Sequence, residues 1–407
     1  MMTDLCMYFQ IHQPHRMRKY TIFDIGKNTD YFDWQKNKEV LEKVAKKCYL
    51  PATQTLIDNA RMHSGRFKCA FSITGVALEQ MEKFTPEAIS KLQELNDTGC
   101  VEFLGETYYH SLSYLFNKDE FRSQVESHDK KIRQLFGQKP QVFRNTELIY
   151  YNELASAVEK MGYKAILAEG ADHVLGWRSP NFVYHAKTTQ GLRLLLKNYK
   201  LSDDIAFRFS QRTWEGWPLT ASKFIDWAHP QLGDSINLFM DYETFGEHQW
   251  EDTGIFEFLR HMPAEALSRG IGFKKPSELL SVPAKDEIDM HTPVSWADVE
   301  RDTSAWLGNK MQDHAAAKLY SLHESVMSTG DASLIEDWKK LTTSDHFYYM
   351  CTKWFNDGDV HKYFNPYETP YESYIAFMNI LQDLQMRCEA LEHRKTIDEA
   401  SRSTEEP

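Results

Sequence analysis

The stretch that decides the fold is "INLFMDYETFGEHQW" (residues 236–250), in which an apolar run ends on acidic side chains. The residues up to Met240 are typical of a buried strand, and Asp241, Glu243 and Glu247 follow them. A strand that is buried along its length and then stops on carboxylates usually directs them at a functional site. The stretch therefore predicts a strand that carries Asp241 to such a site, with Glu243 and Glu247 near it as hydrogen-bonding support.

Five earlier apolar runs also end on polar side chains. They are "LCMYFQIH" (5–12), ending at His12; "FKCAFSIT" (67–74), ending at Thr74; "CVEFLGE" (100–106), ending at Glu106; "QVFRNTE" (141–147), ending at Glu147; and "KAILAEG" (164–170), ending in Glu169. Helical patterns lie between several of these runs, and strand–helix alternation of this kind predicts a parallel sheet with helical crossovers. An open sheet would collect its ligands mostly at one switch point, whereas polar residues at many strand ends favour a closed α/β barrel.

Helical patterns replace strand patterns after about residue 250. The segment "YESYIAFMNILQDLQMRCEALEHRK" (371–395) keeps one apolar stripe for about five turns, and "PSELLSVPAKDEIDMHTPVSWADVE" (276–300) is typical of a long loop. We expect a (β/α)7-type catalytic barrel over residues 1–275 and a helical region that contributes to the active site over 276–395. The polar residues 396–407 are predicted to be a disordered tail.

Charge and composition exclude several classes of protein. The formal net charge is -12, from 59 acidic and 47 basic residues, and no cluster of Lys and Arg dominates, so nucleic acid and membrane partners are not expected. The six cysteines are widely spaced and predict reduced, mostly buried thiols. No signal peptide or long apolar run is present, which predicts a soluble, cytoplasmic protein. The oligomeric state stays open.

Two carboxylates, Glu147 and Asp241, each end an apolar strand among polar and aromatic residues. Hydrolysis of a glycosidic bond requires two carboxyl groups, one to protonate the leaving oxygen and one to attack or to activate water. The alternatives are structural: Glu147 could form an ion pair with Arg144, and Asp241 could cap the next helix. The residues alone leave both interpretations open.

His12 and His15 in "QIHQPHR" (10–16) suggest a zinc site by their spacing. No set of carboxylate and histidine ligands can be assembled around them, so we expect no metal and no other cofactor. Glycine-rich phosphate loops, dinucleotide fingerprints and the serine-hydrolase elbow do not occur. The pattern predicts a loop–helix junction at Trp306, which is interpreted as an exposed ring beneath a sugar, with a place in the core as the alternative.

Taken in order, five motifs resemble glycoside hydrolase family 57, and in particular its α-amylase branch. They are "HQPH" (12–15), "GETYYHSL" (105–112), "FRNTELIY" (143–150), "MDYETFGEH" (240–248) and "SWADVERDTSAWLGN" (295–309). The resemblance implies an incomplete (β/α)7 barrel followed by a helical domain. It also implies retaining, metal-free cleavage of α-glucosidic bonds, with Glu147 as nucleophile and Asp241 as acid/base.

The expected substrate is an α-1,4-glucan such as starch, glycogen or a maltooligosaccharide, with transfer to an acceptor glucan as a side activity. We expect the substrate to be bound by His12, Glu106, His110, Glu243, Asp302 and Trp306. Two other classes stay open: a metal-dependent polysaccharide deacetylase or α-mannosidase on a related barrel, and a non-catalytic glucan-binding protein. Chain length and branching of the substrate are not predicted.

Overall fold

The computed structural model describes residues 3–353 and 365–403. This part of the chain forms two compact units. The first contains the residues up to Gln13, Lys38–Tyr108 and Arg122–Asp302. The second contains Pro14–Asn37, Tyr109–Phe121 and the described residues from Thr303 onwards. Each unit is therefore built from separated stretches of sequence.

The first unit contains two sheets. Their strands are β1 (Asp4–Ile11), β2 (Cys69–Ile73), β3 (Val101–Phe103), β4 (Val142–Arg144), β5 (Ala165–Glu169), β6 (Tyr184–Ala186), β7 (Arg193–Lys197), β8 (Ser235–Asp241) and β9 (Glu287–Ile288). One sheet has the order β3-β2-β1-β8, with parallel pairing throughout. The other has the order β4-β5-β7-β6-β9, in which β4, β5 and β7 are parallel.

Two connections join these sheets into a barrel. A parallel bridge pairs Gly105, just after β3, with Phe143 in β4. On the other side, the backbone N–H of Asn198 donates to the carbonyl of Asn237 at 2.9 Å. Within the described residues, β1 to β5, β7 and β8 thus form the incomplete (β/α)7 barrel that the sequence predicts, and the fold prediction is confirmed.

The barrel strands are buried on both faces, as parallel strands covered by helices are. Every residue of β2, β3, β4 and β5 is buried. The sequence prediction located six of the seven barrel strands but omitted β7. Its sequence, "RLLLK", is short and apolar throughout, and periodicity alone does not separate such a run from a buried piece of helix.

The α-helices of the described chain are α1 (Trp34–Val44), α2 (Leu50–Met62), α3 (Gly75–Phe84), α4 (Pro86–Asp97), α5 (Ser113–Phe116), α6 (Lys118–Phe136), α7 (Asn152–Lys160), α8 (Asp172–Leu175), α9 (Tyr199–Ala206), α10 (Ala221–Ala228), α11 (Ile255–Ser268), α12 (Ser304–Leu307), α13 (Lys310–Ser321), α14 (His323–Thr329), α15 (Ala332–Leu341), α16 (Ser344–Tyr348) and α17 (Pro370–Ser403). A π-helical turn, Ala45–Tyr49, joins α1 to α2.

No helix among the described residues is long and apolar enough to cross a membrane. All six cysteines are buried and free of disulfide bonds.

The units differ from the predicted domains. Pro14–Asn37 and Tyr109–Phe121, which fall inside the predicted barrel, belong to the second unit. The first unit extends to Asp302 instead of residue 275, because β9 pairs with β6 and Val294 pairs with Tyr150. The final helix, α17, continues to Ser403, past the predicted start of a disordered tail at residue 396. A helix that is already formed adds one hydrogen bond per residue, so polar residues can extend it. Residues 404–407 lie outside the described chain.

Candidate active site

Glu147 lies in a tight turn directly after β4. The turn spans Thr146–Leu148, and Glu147 and Leu148 have φ values of +57° and +52°. Positive φ is unfavourable for residues with a side chain, and it persists where the surrounding structure holds it in place. Here the next residues are paired with a distant loop, because the backbones of Tyr150 and Val294 exchange hydrogen bonds of 2.8 and 2.9 Å. The backbone N–H of Trp296 also donates to the carbonyl of Glu147 at 3.2 Å.

The carboxylate of Glu147 accepts a hydrogen bond from the indole of Trp296. The indole Nε1 lies 2.7 Å from Oε2. Two cations face the same ring, with Arg144 at 4.9 Å and Lys197 at 5.4 Å from ring centroids of Trp296. In the sequence, Trp296 is part of the motif at 295–309, but nothing there assigns it a partner. Its contact with Glu147 depends on residues 149 positions apart, so no local pattern indicates it.

Arg144 is fully buried at the end of β4. Among the described residues, none of its three guanidinium nitrogens has a hydrogen-bond partner. The structural alternative in which Glu147 forms an ion pair with Arg144 is therefore wrong. The guanidinium lies instead against the Trp296 ring, where the negative face of the π-system attracts a cation.

Asp241 is the last residue of β8, and it is paired in register with Gln10 of β1. It also precedes the turn Tyr242–Thr244, but its side chain makes no capping hydrogen bond to that turn. The alternative in which Asp241 serves as a helix cap is thus also wrong. The strand delivers the carboxyl group to the same end of the barrel as the other strand-end residues, because β1 and β8 are parallel.

The hydroxyl of Tyr8 lies among the charged groups at this end of the barrel. It is 2.6 Å from Ser72 Oγ and 2.7 Å from Gln10 Oε1. Burial raises its pKa well above the usual value; the charge of Arg144 opposes this rise, and the charges of Glu106 and Asp241 add to it. The charges of Glu106, Arg144 and Asp241, which lie at or after the ends of β3, β4 and β8, therefore all influence the pKa of the Tyr8 hydroxyl. The barrel brings them together.

Glu106 and His12 are held at the ends of their strands by polar neighbours. The amide nitrogen of Gln10 lies 3.5 Å from both carboxylate oxygens of Glu106, which is buried. His12 Nδ1 lies 2.9 Å from the hydroxyl of Thr74. Both predicted substrate-binding residues therefore lie in the first unit, His12 just after β1 and Glu106 after β3, with β2 between these two strands.

Glu243 is buried beside the candidate acid. Its Oε1 accepts hydrogen bonds from the Tyr49 hydroxyl and from Gln13 Nε2, the latter at 3.2 Å. Burial, with the negative charge of Asp241 as a further cause, raises the pKa of Glu243 to about 8, although the Tyr49 hydrogen bond acts in the opposite direction. Two carboxyl groups that interact in this way titrate as a pair.

Glu247, predicted as further support for Asp241, is placed differently. Its carboxylate lies 2.6 Å from Lys43 Nζ and 3.8 Å from Lys47 Nζ. These lysines belong to α1 and to the π-helical turn that follows it. Glu247 therefore joins that helical segment to the turn after β8.

The remaining predicted residues are divided between the two units. Asp302 belongs to the first unit, where its carbonyl accepts a hydrogen bond from Ser295 Oγ at 2.6 Å. His110 belongs to the second unit, has a φ of +52°, and accepts a backbone hydrogen bond from Ser344. Trp306 also belongs to the second unit.

The interpretation of Trp306 as an exposed ring is wrong. Only 2% of the residue is exposed, and its ring centroid lies 6.1 Å from that of Tyr348. Trp306 belongs to the short helix α12, which turns the ring inward. A ring buried in this way contributes to packing within its unit.

Comparison with known proteins identifies relatives of the whole chain. The profile described as Glycosyl hydrolase family 57 matches residues 6–291. A protein of Methanocaldococcus jannaschii named "Putative alpha-amylase" is 42% identical over 412 residues, which is 97% of this chain and 86% of that protein.

Solved structures share the fold at lower identity. The GH57-type branching enzyme from Pyrococcus horikoshii has a TM-score of 0.68 at 15% identity, over 94% of this chain and 88% of that chain. The 4-alpha-glucanotransferase from Thermococcus litoralis has a TM-score of 0.66 at 15% identity, over 85% of this chain. The alignment covers 56% of that enzyme, so this chain spans little more than half of its length.

Proposed function

Since the chain belongs to glycosyl hydrolase family 57, we propose that it cleaves α-1,4-glucosidic bonds of starch, glycogen or maltooligosaccharides with retention of configuration. In this proposal Glu147 is the nucleophile and Asp241 is the general acid/base. The observation that carries the assignment is the setting of Glu147. Its backbone is held at positive φ beside a second loop, and one carboxylate oxygen is fixed by an indole N–H.

The chemistry would proceed in two displacements. Trp296 holds the carboxylate of Glu147 through Oε2, and this carboxylate is proposed to attack the anomeric carbon. As the bond to the leaving glycosidic oxygen breaks, Asp241 donates its proton to that oxygen and a glucosyl ester forms on Glu147. Asp241 then takes a proton from water, and the resulting hydroxide nucleophile displaces Glu147. A sugar hydroxyl in place of water would give transfer to a second glucan.

The neighbouring Glu243 supports the role of Asp241 as an acid. Two carboxyl groups that repel one another in a buried place tend to hold one proton between them near neutral pH. Burial, and next the charge of Asp241, raise the pKa of Glu243 to about 8. We propose that the pair retains one proton at the working pH, and that this proton is available to the leaving group.

The experiment that tests the proposal is turnover of maltooligosaccharides and glycogen, with products separated by length and their anomeric form followed by NMR. Glu147→Gln should abolish turnover and leave the fold intact, because an amide of the same shape cannot form the ester. Asp234→Asn serves as a control, since Asp234 accepts a backbone hydrogen bond from Val183 before β8 begins. Near wild-type turnover by Glu147→Gln would refute the assignment of the nucleophile.

A further inference from the structure

The loop that carries Trp296 is attached to the barrel by Arg301. Nη1 of Arg301 donates to Glu169 Oε2 at 2.9 Å and to the carbonyl of Trp296 at 3.1 Å. The carbonyl of Arg301 accepts a hydrogen bond from the backbone N–H of Ser295 at 3.1 Å. Arg301 itself has a φ of +54°, so this loop, like the turn at Glu147, adopts a backbone conformation that its contacts must hold.

Glu169 anchors these contacts from inside the barrel. It is the last residue of β5 and is fully buried. Lys197, the last residue of β7, places Nζ 3.8 Å from Glu169 and 3.0 Å from Asp203. Nη2 of Arg301 lies 3.8 Å from Asp203. Two acids and two cations therefore alternate beneath the loop.

Glu169 and Lys197 are buried and Arg301 and Asp203 are partly buried, so removing one member leaves a charge of its partner uncompensated. Lys197 also contacts the Trp296 ring directly, as Arg144 does. The indole is thus fixed through its backbone carbonyl by Arg301 and by cations over its ring. The ring nitrogen of Trp296, Nε1, donates to Glu147.

We infer that Arg301 and Glu169 are positioning residues for Glu147 and act through Trp296. The inference rests on the proposed function for the role of Glu147 as nucleophile. The indole N–H favours the charged carboxylate and, by holding Oε2, fixes the orientation of the carboxyl group. The ion pair between Glu169 and Arg301 sets where the indole lies and therefore which way the nucleophile points.

The first test uses Trp296→Phe, Arg301→Lys and Glu169→Gln, compared with wild type by pH-dependent kinetics on a maltooligosaccharide. In Trp296→Phe the acid limb of kcat/KM should move up by about one to two pH units, because the charged carboxylate loses a donor. In Arg301→Lys and Glu169→Gln, kcat should fall about tenfold or more with KM nearly unchanged. Lysine cannot keep both contacts that the Arg301 guanidinium makes, and glutamine removes the charged partner of Arg301.

The matched control is Arg208→Lys. Arg208 also bonds a carboxylate, Asp204 at 2.7 Å, and also faces a tryptophan, Trp214 at 5.7 Å. Its loss should leave kcat and the pH profile unchanged. If Arg301→Lys lowers the melting temperature but leaves the acid limb and kcat as in wild type, its role is structural and the inference is refuted.

The second test does not depend on activity. In protein labelled with ¹⁵N at the indoles, the Trp296 signal is assigned by its loss in Trp296→Phe. The chemical shift of that signal should change with pH in wild type but not in Glu147→Gln. It should differ from the wild-type value in Arg301→Lys but not in Arg208→Lys. An unchanged Trp296 signal in Arg301→Lys would overturn the inference. A titrating signal in a protein that does not act on α-glucans would instead refute the proposed function alone.

Discussion

Replacing Glu243 by glutamine is expected to change how the stability of the protein depends on pH. The pKa of Glu243 is raised from 4.5 to about 8 by burial and by the charge of Asp241. The folded state therefore binds this proton more tightly than the unfolded state does. The contribution to stability is fully present below pH 4.5 and is lost as the pH rises towards and through 8.

The size of the effect follows from the shift. One pKa unit corresponds to 1.36 kcal/mol, so a rise from 4.5 to about 8 corresponds to about 5 kcal/mol of unfolding free energy lost over this range. Coupling with Asp241 divides part of that loss between the two groups, and we expect a measured difference of about 2–5 kcal/mol. Glutamine keeps an acceptor for Tyr49 and Gln13 but cannot ionise, so Glu243→Gln should not show this loss.

The assay is urea unfolding of wild type and Glu243→Gln at pH 5, 6.5 and 8.5, with the free energy of unfolding compared at each pH. Glu278→Gln is a control of opposite sign, because hydrogen bonds from Lys68 and the Lys275 backbone lower the pKa of Glu278 despite partial burial. That variant should be less stable than wild type by a similar amount at all three pH values, because the stability that a lowered pKa contributes is present above the ordinary value of 4.5 and is lost only below it. Parallel curves for wild type and Glu243→Gln across this range would refute the account of Glu243.

Three further predictions concern the second unit, metal and the geometry of catalysis. Trp306→Ala should lower the free energy of unfolding by about 3–5 kcal/mol with little direct effect on glucan affinity, because the ring is buried; weaker binding with an unchanged melting temperature would contradict this. Prolonged EDTA treatment should leave activity unchanged, since a mechanism with two carboxylates requires no Lewis acid; a loss that zinc restores would favour the metal-dependent alternative. In a glucan complex, the carboxyl groups of Glu147 and Asp241 should lie about 5–5.5 Å apart, and the first product should be the α-anomer; a first-formed β-anomer would exclude retention.

Most strands of the barrel could be predicted from the sequence because the patterns that mark them are local. Apolar runs that end on polar residues located β1 to β5 and β8, and they placed Glu106, Glu147 and Asp241 at strand ends. The strand β7 was not predicted because its five residues do not alternate between apolar and polar and so show no periodicity. The strand lies between β5, with which it pairs, and β8, where Asn198 just after β7 meets Asn237 near the start of β8.

The amino-acid sequence by itself determined the family, the order of the strands along the chain and the two candidate catalytic acids. Only the tertiary structure decided which side chains surround the acidic residues of this region: Trp296 on Glu147 and Tyr49 on Glu243. Within the described part of the chain, the buried guanidinium of Arg144 has no hydrogen-bond partner. It also shows that Trp306, which was expected to be an exposed ring at the sugar site, is buried. The physical reason is that secondary-structure propensity and hydrophobic periodicity depend on a few neighbouring residues. Burial and hydrogen bonding at the end of the barrel depend instead on strands that are distant in the chain and come together when the barrel forms.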